Sequence, residues 1–304
     1  MTPTRDQEIA VLKSVTYAAL FDYPLTLEQL HASLVGMRTT PQALLSWWEC
    51  SAFLQAHVEY VDGWFFPAGR ADLIEIRLRR EHVSRALLAR DGGILRLIAR
   101  LPFVRMVALS GSLAHLNAEG SADLDLFVIT APGRVWSVTI TALVIAKLLG
   151  VRKHLCMNYV LSERAMTIDP QDLFSANQII HLRPTFGGRV FEAFVQSNAF
   201  VRVFYPNFEL PAARGTTRSG FKTVVEYALS CGPAQLAERV SRAMYGWHLR
   251  RKAATWQSRD QVKLEPECLK LHTSSHRSAT IERFEAAMKT ATATTTKDLN
   301  VLAS

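Results

Sequence analysis

The sequence is short of the features that assign a chain at a glance. Cysteine is scarce: Cys50, Cys156, Cys231 and Cys268 lie far apart and form no C-x-x-C pair, which removes a zinc knuckle and a disulfide framework. Each is expected to be a reduced, buried small hydrophobe. The opening residues, MTPTRDQEIA, contain no apolar signal segment, so a cytoplasmic protein is the expectation. Long hydrophobic runs are missing too. The most apolar stretch, VWSVTITALVIAKLLGV from Val135 to Val151, carries Lys147 and falls below the roughly 20 apolar residues that cross a bilayer. It reads as a helix buried against a sheet, and no membrane span is expected. Internal repeats are absent, which argues against an array architecture.

What is present is the composition of an ordered protein. At 304 residues, with 49% hydrophobic and 20% charged residues, two or three small domains sharing interfaces are expected. The net charge of +8 is concentrated late: residues 211–304 hold 15 Lys and Arg against 8 Asp and Glu. Such a bias suits nucleic acid, an acidic membrane surface or a polyphosphate. No aromatic-basic interleaving accompanies it, so a solvated face is the plainer reading and nucleic acid is not favoured.

Residues 1–90 read as three helices and a hairpin. Asp6 is the expected cap of a helix with apolar positions Ile9, Leu12, Val15 and Ala19, broken at Tyr23-Pro24. Thr26 with Gln29 predicts a capping box for a helix from Leu27 to Val35. Thr40-Pro41 opens a third through Trp47 and Trp48. In HVEYVDGWFFPAG, Asp62-Gly63 separates two apolar runs as a two-residue hairpin turn does. This order resembles a winged helix. The resemblance implies DNA binding, yet PQALLSWWECSAF offers no Arg or Lys to reach bases or phosphates, so a packing or partner-binding module is preferred.

From Ile74 to Leu101 the pattern predicts two helices interrupted at Gly92-Gly93, then a buried strand from Val104 to Leu109. The next residues, SGSLAHLNAEGSADLDLFVIT, carry the chemistry. Gly111 permits close backbone approach to a phosphate, and Ser112 with the following helix start offers donors to its oxygens. Asp123 and Asp125, two apart at the start of a strand, share one face while Leu124 and Leu126 turn to the core. Paired carboxylates without a base partner suit a hard cation, Mg²⁺ or Mn²⁺, completed by substrate phosphate oxygens.

In order and spacing, Gly111-Ser112 followed by Asp123-x-Asp125 twelve residues on resembles the signature of the DNA polymerase beta-like nucleotidyltransferase superfamily. The resemblance implies an α/β (α+β) fold: a small mixed-sheet nucleotidyltransferase domain over 91–165, the winged-helix-like module over 1–90 before it, and a helical region over 166–288 after it. A disordered low-complexity tail, 289–304, is expected to follow. It also implies metal-dependent transfer of NMP from an NTP such as ATP to an acceptor, releasing pyrophosphate. Asp123 and Asp125 would be catalytic and hold the metal, and Gly111 and Ser112 would bind the triphosphate. The acceptor, whether a small molecule, a protein side chain or an RNA end, is not specified.

Four positions depart from the family pattern. Leu113 and Leu116 stand where Arg and a second Gly are frequent. Ala122 replaces a frequent Ser, with Ser121 one residue earlier. The expected third carboxylate, on the strand over 153–162, is replaced by Asn158; its amide can ligate a metal but adds no charge and is no base. The substrate itself, Glu119 or Glu163 are the candidates to compensate. Without compensation the alternative is a degenerate module that binds nucleotide, nucleic acid or protein. In the remainder, Asn177, Asn198 and Asn207 read as caps or turns, and Arg183 and Arg189 as surface charges. His272 and His276 read as surface histidines four apart, and residues 211–220 as a linker.

Overall fold

The computed structural model describes residues 2–120, 122–211, 220–230, 232–272 and 276–302. The protein is mixed α/β, and among the described residues its strands form two sheets. No described helix is long and apolar enough to cross a membrane.

The N-terminal helix Arg5–Ala19 is capped by Thr4, not Asp6. Gln7, three residues on, returns a side-chain bond to the Thr4 backbone, and the reciprocal pair outcompetes a lone carboxylate. Thr26 and Gln29 form the expected box ahead of the helix Leu27–Ala32. Thr40 caps Pro41–Cys50. Ser51 then accepts from the Leu54 N–H and starts a further short helix, Ala52–His57. Strands β1 (Leu25–Thr26), β2 (Val58–Val61) and β3 (Trp64–Pro67) pair in the order β1-β3-β2. Asp62 and Gly63 turn the hairpin with φ of +51° and +86°, as its two-residue loop requires. Val11, Leu30, Leu44, Leu54 and Phe65 fill the core beneath.

The helix Asp72–Asp91 leads through Gly93–Arg100 into the main sheet. Its strands are β4 (Val104–Ser110), β5 (Leu124–Thr130), β6 (Leu155–Ser162), β7 (Arg183–Phe186), β8 (Val262–Glu265) and β9 (Cys268–Leu271). Their order is β7-β4-β5-β6-β9-β8, antiparallel except for β5 and β6. That parallel pair needs a crossover, and the apolar stretch supplies it as the helix Val135–Leu148, where Trp136 is fully buried. Side chains alternate along β5: Leu124, Leu126 and Val128 join the core on the crossover face, and Phe127 and Ile129 the core on the other. Asp125 shares the parity of Phe127, so it opens onto that second face.

Two expectations change here. The region 166–288 is not only helical: β7, β8 and β9 lie in it and provide both edges of the main sheet, so 91–165 holds only the sheet's central strands. These strands are four residues long, too short for a periodicity to announce them, and Pro184 is tolerated because β7 is an edge. The tail is helical, not disordered, as far as Leu302. Earlier in the same helix Phe284 lies edge-on to Tyr17 at 5.2 Å and Met288 packs on the N-terminal core, and within the tail Ala291 packs there too, so the tail continues a helix that tertiary contacts already hold. Ser121, most of the 211–220 linker (212–219) and Cys231 lie outside the described residues.

Candidate functional site

β4 ends at Ser110, whose register partner is Asp125. The chain turns at Gly111 with φ +64°, and a Cβ there would run into Asp125 Oδ2. Glycine is therefore required twice, by the left-handed backbone and by the carboxylate packed against it. The helix that follows is a single turn, Gly111–Ala114, too short to carry much of the dipole expected of it. Five residues on, Leu116 has φ +55°, the conformation a glycine would adopt there. Buried Arg77 holds it, donating to the Leu116 carbonyl at 2.7 Å.

The parallel register of β5 and β6 brings the second half of the site in. Asn158 donates its amide N–H to Asp125 Oδ1 at 2.5 Å. Cys156 donates from Sγ to Asp123 Oδ2 at 3.5 Å. His154 Nδ1 is 4.0 Å from Asp123 Oδ1. Asp123 is 41% exposed, whereas burial raises the pKa of Asp125 to about 6, with the Asn158 bond opposing and the Asp123 charge adding to the shift. Burial and both carboxylates push the Cys156 thiol up to about 12. Cys156 and His154 were invisible in the sequence, because only strand register puts them beside Asp123. The expectation of uniformly buried cysteines is corrected as well: Cys268 is buried, Cys156 half-buried and Cys50 exposed.

Asp123, Asp125, Gly111, Ser112 and Asn158 all line one cleft of about 690 Å³, within the range that accepts small ligands. The N-terminal module supplies Tyr17 and Phe21 to its wall, and Lys270, His272, His276 and Arg277 line it from the other side. His115 and His181 stack inside it, ring centroids 4.1 Å apart. Burial drives His181 down to about 4 and His115 well below its usual range. His272 is not a surface group: its ring meets Tyr159 edge-on, and burial lowers it to about 4. Residues 273–275, between His272 and His276, are outside the described residues.

Other sequence candidates lie elsewhere. Glu119 pairs with Arg80 at 2.7 Å. Glu163 follows the far end of β6 and faces Arg105 at 3.7 Å. Neither lines the cleft, so neither stands in for a third acid. Arg183 and Arg189 are exposed and also outside it. Asn198 is a buried brace, accepting from the Ile168 N–H and donating to the Met166 and Phe194 carbonyls. Asn207 accepts from the Thr39 N–H and donates to Met37 and His31 carbonyls, tying the N-terminal module down. Asn177 does line the cleft and donates to Tyr205 Oη at 3.1 Å.

Among the described residues there is no cluster of three or more His, Cys, Asp or Glu side chains suited to a metal. What fits a hard cation is the charge state of the pair. Two carboxylates meet at the mouth of β5, their neighbours are an amide, a thiol and, 4.0 Å from Asp123, the His154 imidazole, and among the described residues no Lys or Arg ion-pairs with either. A site of that kind is one charge poorer than a three-acid site and leaves more of the coordination to phosphate oxygens.

Comparison with protein-family models, with curated proteins and with solved structures returns no match for this chain.

Proposed function

We propose that this protein is a nucleotidyltransferase of the polymerase beta-like type, moving an NMP from an NTP to an acceptor with release of pyrophosphate. One observation carries the reading: Gly111 at φ +64° lies directly against Asp125. The glycine turn and the carboxylate pair are thus one structural unit, as a phosphate seat beside a metal site demands. The accompanying fold reading is a nucleotidyltransferase-type sheet preceded by a winged-helix-like module, here used to wall the cleft.

Asp123 and Asp125, with Asn158 at their side, are the residues that would hold Mg²⁺ or Mn²⁺. When bound, the ion supplies charge neutralisation on the phosphate oxygens in phosphoryl-type transfer. Gly111 lets phosphate approach the backbone, and Ser112 offers its hydroxyl. Asn158 fixes Asp125 in orientation through its amide N–H. The cleft walls would hold the acceptor against the seat.

Calorimetric titration with each NTP, in Mg²⁺ and in EDTA, tests this. Metal-dependent binding in the wild type that is lost in Asp123→Ala/Asp125→Ala, with pyrophosphate release on addition of a competent acceptor, is the expected result. Absence of NTP binding to the wild type sinks the proposal. The second reading, a nucleotide-binding module without turnover, is favoured by Asn158 in place of an acid. It predicts the same binding with no pyrophosphate released for any acceptor.

A further inference from the structure

Across the cleft from Gly111-Ser112, β9 carries a charge that the chemistry above leaves unused. Lys270 lines the cleft and is only 6% exposed. Its ammonium donates to Gln261 Oε1 at 3.1 Å and stands 5.6 Å from the centre of the Tyr159 ring. Among the described residues no carboxylate pairs with it directly. Asp260 acts through Gln261, whose amide N–H it accepts at 2.6 Å, turning the Gln261 oxygen toward the lysine. A buried cation satisfied by a neutral amide is unfavourable unless something else compensates it, and burial accordingly lowers the Lys270 pKa. Close by, Arg277 is matched by Asp172, so that charge is already answered.

The register fixes where this cation stands. Phe127 on β5 pairs with Tyr159 on β6, and Tyr159 pairs with Lys270 on β9. Asp125 precedes Phe127 by two residues on the same face. With strands about 4.8 Å apart, the Lys270 backbone is displaced from β5 by two strands, roughly 10 Å. Gly111-Ser112 leaves β4, on the opposite side of β5. A triphosphate on Gly111-Ser112 would lie over β4 and β5, whereas the Lys270 ammonium is held on the β6–β9 side, against Gln261 and Tyr159. A second polar orphan faces the same space: Tyr17 is 3% exposed, and its hydroxyl has no hydrogen-bond partner among the described residues.

We propose that Lys270 is the anion-binding residue of an acceptor subsite, taking a small molecule that carries a phosphate or carboxylate and whose body lies against Tyr159 and Tyr17. Its identity as an acceptor subsite rests on the nucleotidyltransferase reading; the anion site itself does not. The ammonium holds the acidic group as a point charge, and the Tyr17 hydroxyl takes a polar group of the body.

Titration with inorganic phosphate, with and without Mg·NTP, tests it. Expected is phosphate binding to the wild type that weakens about ten-fold or more in Lys270→Met, with Mg·NTP affinity unchanged. A melting curve verifies that the variant is folded. Gln261→Glu, which keeps the lysine but sets a carboxylate against it, is expected to weaken phosphate binding likewise. Unchanged phosphate affinity in both variants overturns the proposal. Loss of Mg·NTP binding in Lys270→Met, in parallel with phosphate, also overturns it, because the lysine then serves the nucleotide. Phosphate binding that needs Lys270 in a protein that binds no NTP upholds the anion site and sinks the nucleotidyltransferase reading instead.

Discussion

At the scale of single residues, Asp125 shows a site working against the stability of its own fold. Its pKa stands near 6 through burial, above the 3.8 of a free side chain. The sign follows from linkage: the protonated form is favoured in the folded state, so this stabilising contribution is complete below about pH 4 and is lost as pH rises through 6. A rise of that size corresponds to at most about 3 kcal/mol. Asp125→Asn, measured by urea unfolding in EDTA, should therefore be more stable than wild type at pH 8 by up to that amount, with no gain at pH 4. A variant less stable at both pH values would mean the Asn158–Asp125 bond outweighs the burial. Metal-dependent nucleotide binding by the wild type should likewise weaken as pH falls through about 6, since the proton competes for the same carboxylate.

At the scale of elements, the C-terminal helix Arg277–Leu302 is the surprise, because its second half is rich in Thr, a β-branched residue that weakens an isolated helix although the Ala residues between favour one. It contacts the N-terminal core through Phe284, Met288 and Ala291, and lines the cleft through Arg277 and Thr280. Phe284→Ala removes a half-buried ring set edge-on to Tyr17. It should cost about 1–2 kcal/mol, read as a lowered melting temperature. Unaltered melting would show that the helix is not coupled to the core it covers. By contrast the helices and hairpin of residues 5–67 were largely legible. Thr26/Gln29, Thr40-Pro41 and Asp62-Gly63 are local signals, and the backbone they dictate is the backbone observed.

At the scale of the molecule, the N-terminal module held against the sheet supplies one wall of the cleft. Arg77, 3% exposed, spans that junction: one guanidinium nitrogen donates to the Leu116 carbonyl and the other to Tyr23 Oη, which itself donates to the His115 carbonyl. On the far side the Gly36 N–H donates to the Phe204 carbonyl at 2.7 Å, next to the Asn207 ties. Arg77→Ala strands these buried acceptors and should lower the melting of the module relative to that of the sheet in calorimetry, separating the two where the wild type melts them together. One transition retained at a lower temperature would instead mean that the remaining ties suffice.

The sequence by itself determined much of the N-terminal local structure and, at the candidate site, the glycine turn with its carboxylate pair. Caps, turns and the glycine before a carboxylate pair depend on residues within a few positions of one another, and so does the alternation that turns Asp125 away from Leu124 and Leu126. Only the tertiary structure decided what surrounds that pair. Asn158, Cys156 and His154 reach it through the β5–β6 register, Lys270 through the antiparallel pairing of β9, and Tyr17 through a helix more than 90 residues earlier in the chain. Short edge strands and long-range pairing leave no periodic trace. Their energy comes from burial and hydrogen bonds that form only when distant segments meet, which is why the cleft and its unmatched cation could be read from the fold and not from the chain.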